Sequence, residues 1–212
     1  MTATVLCVTQ QKGGAGKTTL CAHLAVAFAA GRRNVTVLDI DPQQSMTTWY
    51  RKREELFGDD GAGLDVEAVD DLRRSSQINK MARKRDIVLI DCPPHAGNEA
   101  RVAIRSADLV VVPVQPSPMD IWATRPTLDL AAREGKPVLI VFNRVPARAN
   151  LTDEMLAEAK TYGVKLARTR VGNRVLFAGA LNEGLTAGEM APSGRAANEI
   201  ERLAREVLRT AG

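Results

Sequence analysis

Residues 11–19 read QKGGAGKTT, a glycine-rich segment that carries two lysines five positions apart. Glycines in such a segment free the backbone to turn its N–H groups inward, where they bind phosphate oxygens. Lys17 can then reach the β- and γ-phosphates of a nucleotide, and Thr18 can hold Mg²⁺ at the start of a helix. The segment follows a short apolar run and precedes a helical pattern, which is the context that a phosphate-binding loop requires. The predicted nucleotide-binding residues are Gly13, Gly14, Ala15, Gly16, Lys17, Thr18 and Thr19.

The second lysine of this loop, Lys12, needs a separate explanation. The usual phosphate-loop pattern, G-x-x-x-x-G-K-[ST], has one lysine, and here Gln11 stands at its first glycine position. A nucleoside triphosphate keeps negative charge after Mg²⁺ and Lys17 are counted, and more gathers on the leaving group during cleavage. Lys12 could supply a further cation, and from the end of a strand it could point outward into the pocket of a second subunit. A solvent-exposed lysine is the simpler alternative, and the loop alone does not decide between them.

Polar side chains also end three of the apolar runs that follow the loop. Asp39 and Asp41 lie in LDIDPQQS, Asp91 ends DIVLID, and Asn143 ends PVLIVFN. Two carboxylates such as Asp39 and Asp41 can position a water and support a metal, whereas a helix-capping role would explain only one of them. Asp91 is placed to hold Mg²⁺ through water, and the amide of Asn143 can bind the edge of a base. We therefore predict Asp39 and Asp91 as metal-site residues and Asn143 as a nucleotide-binding residue.

The elements that would position these groups alternate between strand and helix. The runs TVLCVT, VTVLDI, DIVLID, LVVVPV and PVLIVF are nearly continuous apolar stretches of strand length, as expected of strands buried on both faces. Amphipathic helical stretches separate them, and LDVEAV is a candidate edge strand. The pattern predicts an α/β fold with a doubly wound, mostly parallel sheet flanked by helices, and ligand at the carboxyl ends of the strands. We expect residues 1–212 to form a single domain.

Composition limits the classes of function. The 212 residues are 45% hydrophobic and 25% charged, which is typical of a globular domain. No apolar run approaches the roughly 20 residues that span a bilayer, and we expect no signal peptide. The cysteines lack disulfide or metal-ligand spacing, which suits a reducing cytoplasm. These are Cys7, Cys21 and Cys92.

The chain resembles the ParA/MinD family of deviant Walker-A ATPases. The segments KGGAGKT, DIDPQ and DIVLIDCPP carry the resemblance, and the extra lysine is the signature of that group. The segments DPQQSMTTW, PVQPSPMDIWA and ARTRVGNRVLFAGALNEGLT resemble those of the small ParA partition ATPases without an N-terminal helix-turn-helix. The resemblance implies a P-loop NTPase fold, ATP and Mg²⁺ as cofactors, and weak intrinsic hydrolysis of ATP to ADP and phosphate.

The resemblance also implies roles for individual residues. Two subunits would sandwich two ATP molecules, and Lys12 would enter the partner's site as a catalytic group. Lys17 would bind phosphate, Thr18 the metal, and Asp91 would support the metal through water. Asp41 would orient the attacking water.

A DNA partner follows from charge together with the resemblance. Residues 144–174 hold seven Lys and Arg, one of them Arg148, against three Asp and Glu. A local excess of arginine fits sequence-independent contact with DNA phosphates, whereas a solvated surface is the simpler alternative and explains most runs of charge. The resemblance favours DNA, because the ATP-bound dimers of the family bind it non-specifically. The predicted contacts are Arg168, Arg170 and Arg195. The resemblance further implies a ParB-like or other adaptor that stimulates hydrolysis, a nucleoid-associated location in the cytoplasm, and a plasmid, chromosome or protein cluster as cargo.

Three alternatives belong to other classes of protein. A MinD-like positioning ATPase on a membrane would need an amphipathic C-terminal anchor. The last helix does have an apolar face, but glutamates lie among its arginines and it has no aromatic residue, so we expect it to pack on the core and expect no membrane partner. An iron–sulfur reductase would need an exposed cysteine, for which Cys92 is the candidate. A metabolic ligase would need a site for a substrate carboxylate, which the sequence does not indicate.

Overall fold

The computed structural model describes residues 3–58, 63–70, 75–83, 85–95, 97–147 and 150–212, so Arg148 lies outside the described residues. The described strands form one seven-stranded sheet in the order β3-β2-β4-β1-β5-β6-β7, and every pair of neighbours is parallel. The strands are β1 (Thr4–Val8), β2 (Val35–Asp39), β3 (Leu64–Ala68), β4 (Ile87–Asp91), β5 (Leu109–Val114), β6 (Val138–Phe142) and β7 (Lys165–Leu166).

Helices cover both faces of this sheet, as the alternating pattern predicts. Within the described residues they are α1 (Lys17–Ala30), α2 (Ser45–Phe57), α3 (Ser75–Met81), α4 (Asn98–Ser106), α5 (Pro118–Trp122), α6 (Arg125–Arg133), α7 (Asn150–Lys160), α8 (Val175–Asn182), α9 (Ala187–Met190) and α10 (Arg195–Ala211).

The five apolar runs became β1, β2, β4, β5 and β6, and nearly all of their residues are buried. The predicted edge strand is confirmed as β3, which lies beside β2 at one edge of the described sheet. Strand β7 was not predicted, because its two residues are exposed or half-buried and give no apolar pattern. The doubly wound parallel fold is therefore confirmed.

Helix α10 covers one face of the sheet together with α1. Its apolar residues Ile200, Leu203 and Val207 are buried in the same core cluster as Leu24 and Phe28 of α1. The face that could have served as a membrane anchor is thus occupied by the protein core, as the sequence predicts. Among the described helices, none combines the length and the apolar character needed to cross a bilayer.

Candidate nucleotide site

The carboxyl ends of the parallel strands bring the predicted site residues together. Strand β1 lies between β4 and β5, so the loop that leaves it opens at the centre of the sheet edge. Asp39 at the end of β2 lies in register with Asp91 at the end of β4, which is also paired with Val8 of β1. A first cavity of about 570 Å³ lies at this edge. Among its lining residues are Gly13, Gly14, Gly16, Lys17, Thr18, Thr19 and Asp41.

Glycine is required at two positions of the loop by the conformation of the single chain. Gly14 and Gly16 have φ values of 79° and 86°, in the left-handed region that side chains disfavour. A Cβ on Gly16 would also lie 2.5 Å from Nδ2 of Asn143. Gly13 differs, since a Cβ there would meet no atom within 4 Å. The packing of one chain therefore explains the glycines at 14 and 16 but not the glycine at 13.

Asn143 contacts the backbone of the loop, which the sequence did not indicate. Its Nδ2 donates a hydrogen bond of 2.9 Å to the carbonyl of Ala15, and its Oδ1 accepts one of 3.0 Å from the N–H of Arg144. Each end of the amide thus has one partner in the protein, while Nδ2 keeps a second N–H and Oδ1 a second lone pair, so the contact predicted between this amide and the edge of a base remains a prediction. Asn143 holds the phosphate loop in place, and it also lines a second cavity on the other side of the loop.

Lys17, which belongs to the loop and opens α1, and Asp91, which ends β4, are both buried in the protein interior. Lys17 is only 7% exposed, and burial lowers its pKa while the charges of Asp91 and Asp41 act in the opposite direction. Burial raises the pKa of Asp91 to about 7, although the nearby Thr18 hydroxyl and Lys17 ammonium favour its ionised form. Neither carboxylate oxygen of Asp91 has a well-formed hydrogen bond within the described residues.

This unsatisfied carboxylate beside Thr18 fits the predicted Mg²⁺ site. A buried carboxylate needs a cation or hydrogen-bond donors, and Mg²⁺ with its waters supplies both. The described residues contain no group of three or more His, Cys, Asp or Glu that could hold a metal by themselves. Magnesium in nucleotide sites is commonly held by one or two protein oxygens together with phosphates, so a Mg²⁺ site here does not require such a group.

The two aspartates of LDIDPQQS have different surroundings. Asp39 is 1% exposed, and one of its oxygens accepts hydrogen bonds of 2.9 Å from both the N–H and the hydroxyl of Thr47. It therefore caps the first turn of α2, which is the capping role that the sequence allowed for one of the pair. Asp41 is half-buried and lines the first cavity, where a carboxylate can accept a proton from water. The metal role predicted for Asp39 remains a prediction, and its carboxylate already accepts hydrogen bonds from Thr47.

Lys12 points away from the cavity of its own chain. Its Nζ lies 2.7 Å from Oδ2 of Asp120 on α5, and its side chain is 36% exposed. Asp120 is 5% exposed and also accepts a hydrogen bond from the Ser117 hydroxyl, while its Oδ1 has no partner among the described residues. Sequence reasoning missed Asp120 because the pattern SPMD predicts a helix start, where an aspartate needs no further explanation.

The second cavity, of about 260 Å³, adjoins the loop on the side of β6 and α8. Thr19, Arg144 and Ala178 line both cavities, so the two are neighbours. Arg144 has a φ of 52°, which is uncommon for a residue other than glycine and is often found at functional sites. No sequence pattern distinguishes this arginine from the others near it.

The two histidines differ in burial. His23 lines the second cavity, its Nδ1 is 2.8 Å from the Thr19 carbonyl, and its Nε2 accepts a hydrogen bond from the N–H of Ala187. Burial lowers the pKa of His23 to about 4, so the ring is neutral at pH 7. His95 is exposed.

The three predicted DNA contacts are all exposed. Arg168 and Arg170 lie in the segment between β7 and α8, and Arg195 is the first residue of α10. Arg170 forms an exposed ion pair of 3.4 Å with Asp153. Exposure is required for contact with phosphates but does not demonstrate it, so these three contacts remain predictions.

A known protein family matches most of the chain. The family model described as CbiA, the CobQ/CobB/MinD/ParA nucleotide binding domain, matches residues 6–187. The chain belongs to this family. It is 30% identical over 215 residues to the maintenance of carboxysome distribution protein A of Halothiobacillus neapolitanus, with 97% of each chain covered. It is 28% identical over 239 residues to the chromosome-partitioning ATPase Soj of Thermus thermophilus, covering 96% of this chain and 94% of Soj.

Solved structures of the ParA/MinD type show the same fold. The septum site-determining protein MinD of Pyrococcus horikoshii, complexed with Mg-ADP, superposes with a TM-score of 0.79 and 22% identity, covering 99% of this chain and 98% of MinD. The iron–sulfur alternative has no exposed thiol to support it, because Cys7, Cys21 and Cys92 are all buried. Family membership and these relatives support a nucleotide-binding ATPase that positions a cargo.

Proposed function

We propose that this protein is a partition-type ATPase whose ATP-bound homodimer binds DNA and is released by hydrolysis. The observation that carries the proposal is the opposite placement of the two loop lysines. Lys17 lies in the first cavity, whereas Lys12 points out of it and is held at the surface by Asp120. A lysine in that position cannot serve the phosphates of its own chain without moving, but it is accessible to a second subunit.

Gly13 supports the same arrangement. Its exposed position has room for a side chain within one chain, so a glycine there leaves space free for something outside that chain. Close approach of a second phosphate loop across a two-fold axis would use that space.

The catalytic roles follow from the surroundings of each group. The loop N–H groups and Lys17 bind the phosphates, and Thr18 with Asp91 would hold Mg²⁺. When bound, Mg²⁺ would offset the negative charge that develops on the phosphates during cleavage. Asp41, which lines the cavity, would orient the attacking water, and Lys12 of the second subunit would stabilise the charge on the leaving group. Intrinsic hydrolysis is weak until an adaptor protein of the ParB type completes the arrangement.

DNA is the proposed surface on which the dimer rests. Arg168, Arg170 and Arg195 are exposed, and each would occur twice in a dimer, so that the two subunits bind one duplex with avidity. The MinD-like alternative has less support, because the apolar face of α10 packs against α1. The dimer would occupy the nucleoid in the cytoplasm and position a plasmid, a chromosome region or a protein cluster.

The experiment that tests the DNA step measures binding to unrelated duplexes with and without ATP over a series of salt concentrations. Binding is expected to require ATP, to ignore sequence and to weaken steeply with salt, because each neutralised phosphate releases counterions. Arg170→Glu or Arg195→Glu should lower affinity on every duplex and make the log–log slope shallower by about two units per dimer.

Arg51→Glu is the matched control, since it makes the same charge change at an exposed position of α2. It should leave the slope close to that of the wild type, and ATP hydrolysis should survive all three substitutions. A wild-type ATP dimer that binds no DNA even at low salt would overturn the DNA step and direct attention to lipid or protein surfaces.

A further inference from the structure

Two carboxylates of α10 hold the segment that runs from residue 168 to residue 174. Glu206 accepts hydrogen bonds from the backbone N–H groups of Arg168 and Thr169, at 2.7 and 3.0 Å. Glu199, two helical turns earlier, accepts one of 3.0 Å from the backbone N–H of Gly172. The segment has little regular structure of its own, so these bonds fix its distance from the helix.

Glu199 also binds a side chain of that segment. Its two carboxylate oxygens accept hydrogen bonds from Nε and Nη2 of Arg174, which is the paired geometry that aligns a guanidinium group firmly. The hydrogen bond to Glu199 raises the pKa of Arg174 above its ordinary value. Gly172 makes room for this pair, since a Cβ there would lie 3.1 Å from the Arg174 guanidinium.

Both partners of Glu199 line the second cavity. Gly172 and Arg174 stand on the side formed by the segment, Asn143 and Thr19 stand on the side of the loop, and Ile200 of α10 contributes directly. Arg168 and Thr169, the partners of Glu206, do not line it. The two carboxylates thus hold the same segment, but only one of them holds the part that faces the cavity.

The chemistry of the second cavity suits the heterocyclic base of the nucleotide. It adjoins the phosphate-binding loop through Thr19 and Arg144, and it is lined by the apolar side chains of Leu20, Val171 and Phe177. A base is an apolar ring system with polar edges, and it is only one part of the nucleotide, so a cavity of about 260 Å³, a little below the roughly 300 Å³ at which pockets for whole small molecules begin, suits it.

We propose that Glu199 is a positioning residue for nucleotide binding: it fixes the side of the second cavity formed by Gly172 and Arg174, so that the base adds affinity beyond that of the phosphates. This inference rests on the proposed nucleotide function and adds to it a residue of α10. Glu199 does not touch the nucleotide, and acts through the backbone of Gly172 and the guanidinium of Arg174. A pre-positioned cavity increases affinity because less conformational freedom is lost on binding.

A purely structural role for Glu199 would have a different consequence. If the carboxylate only stabilised the fold, its loss would lower the melting temperature and weaken all ligands of the site alike. A positioning role predicts a selective loss, confined to ligands that carry a base. Inorganic tripolyphosphate supplies the phosphates without the base, so the comparison with ATP separates the two roles.

The experiment measures dissociation constants of the full chain for Mg-ATP and for Mg-tripolyphosphate by calorimetry. Glu199→Gln keeps an acceptor for Gly172 but removes the charge that binds Arg174. It should weaken the binding of ATP by about tenfold, as expected for the loss of one charged hydrogen-bonded pair, and the binding of tripolyphosphate by less than about twofold. Glu206→Gln is the matched control on the same helix, and its ratio of ATP to tripolyphosphate affinity should equal that of the wild type. Melting temperatures without nucleotide establish that each variant is folded.

If Glu199→Gln does not fold, Arg174→Gln removes the other partner from a more exposed position and should give the same selective loss. The proposal is overturned if the affinities for ATP and tripolyphosphate fall equally, if neither affinity changes, or if Glu206→Gln lowers the affinity for ATP selectively as well. Failure of the wild-type protein to bind ATP would instead overturn the nucleotide function, and the inference with it. Wild-type ATP binding with no selective effect in the variants would refute the role of Glu199 alone.

Discussion

Lys12 and Lys17 belong to one loop and are five residues apart, yet their surroundings differ in almost every respect. Lys17 is 7% exposed, opens α1 and faces the charges of Asp91 and Asp41 inside the first cavity. Lys12 is half-buried at the surface and lies 2.7 Å from a carboxylate of α5, outside that cavity. The two lysines carry the same charge, but one lies inside the first cavity and the other is paired with a carboxylate outside it.

We expect the contact between Lys12 and Asp120 to restrain the lysine. Asp120 is buried, one of its oxygens has no partner among the described residues, and the other accepts from Lys12 and Ser117. If Lys12 leaves for a second subunit, Asp120 loses its counter-ion in the interior, which is costly. We therefore expect the contact to oppose dimer formation until the phosphates of ATP offer Lys12 a stronger partner.

The largest effect is expected at the buried end of the loop. Lys17→Ala removes the cation that lies among the phosphates, and it should weaken ATP and ADP binding by about 100-fold or more, as for the loss of one member of a buried charge pair. Lys12→Ala is the matched comparison and should leave the affinity for ADP within about threefold of wild type, because Lys12 lies outside its own cavity. Equal losses of ADP affinity in calorimetry would remove the distinction between the two lysines.

A smaller effect, which strengthens dimer formation, is expected when the charge of Asp120 is removed. Asp120→Asn keeps the size of the side chain but removes the charge that holds Lys12, so the ATP-dependent dimer should form at protein concentrations about threefold to tenfold lower. Light scattering over a concentration series measures this shift. Asp129→Asn, an exposed change on α6, is the control and should have no effect.

The Asp120 effect should also disappear in a Lys12→Ala background, since there is then no lysine to release. An Asp120→Asn protein that dimerises as the wild type does, or less readily, would show that the contact does not restrain Lys12.

The sequence predicted the features whose cause lies within a few residues. The loop, Lys17 and Thr18 follow from a local motif, and the five central strands follow from burial on both faces. The partner of Lys12 lies 108 residues away, and Glu199 lies 27 residues from Gly172, so both depend on how the chain packs. Asn143 was placed at the correct edge by its position after β6, but its contact with Ala15 depends on the shape of the folded loop.

The claim that Lys12 acts in the partner's site has a direct test in mixed dimers. Lys12→Ala and Asp41→Ala are each expected to be inactive alone. When the two are mixed as monomers before ATP is added, the heterodimer contains one site in which Lys17 and Asp41 of one subunit meet Lys12 of the other. Random pairing makes about half of the dimers mixed, each with one complete site, so the mixture should recover about a quarter of the wild-type hydrolysis rate. A mixture that stays inactive, although the two variants still dimerise with ATP, would mean that Lys12 serves its own chain.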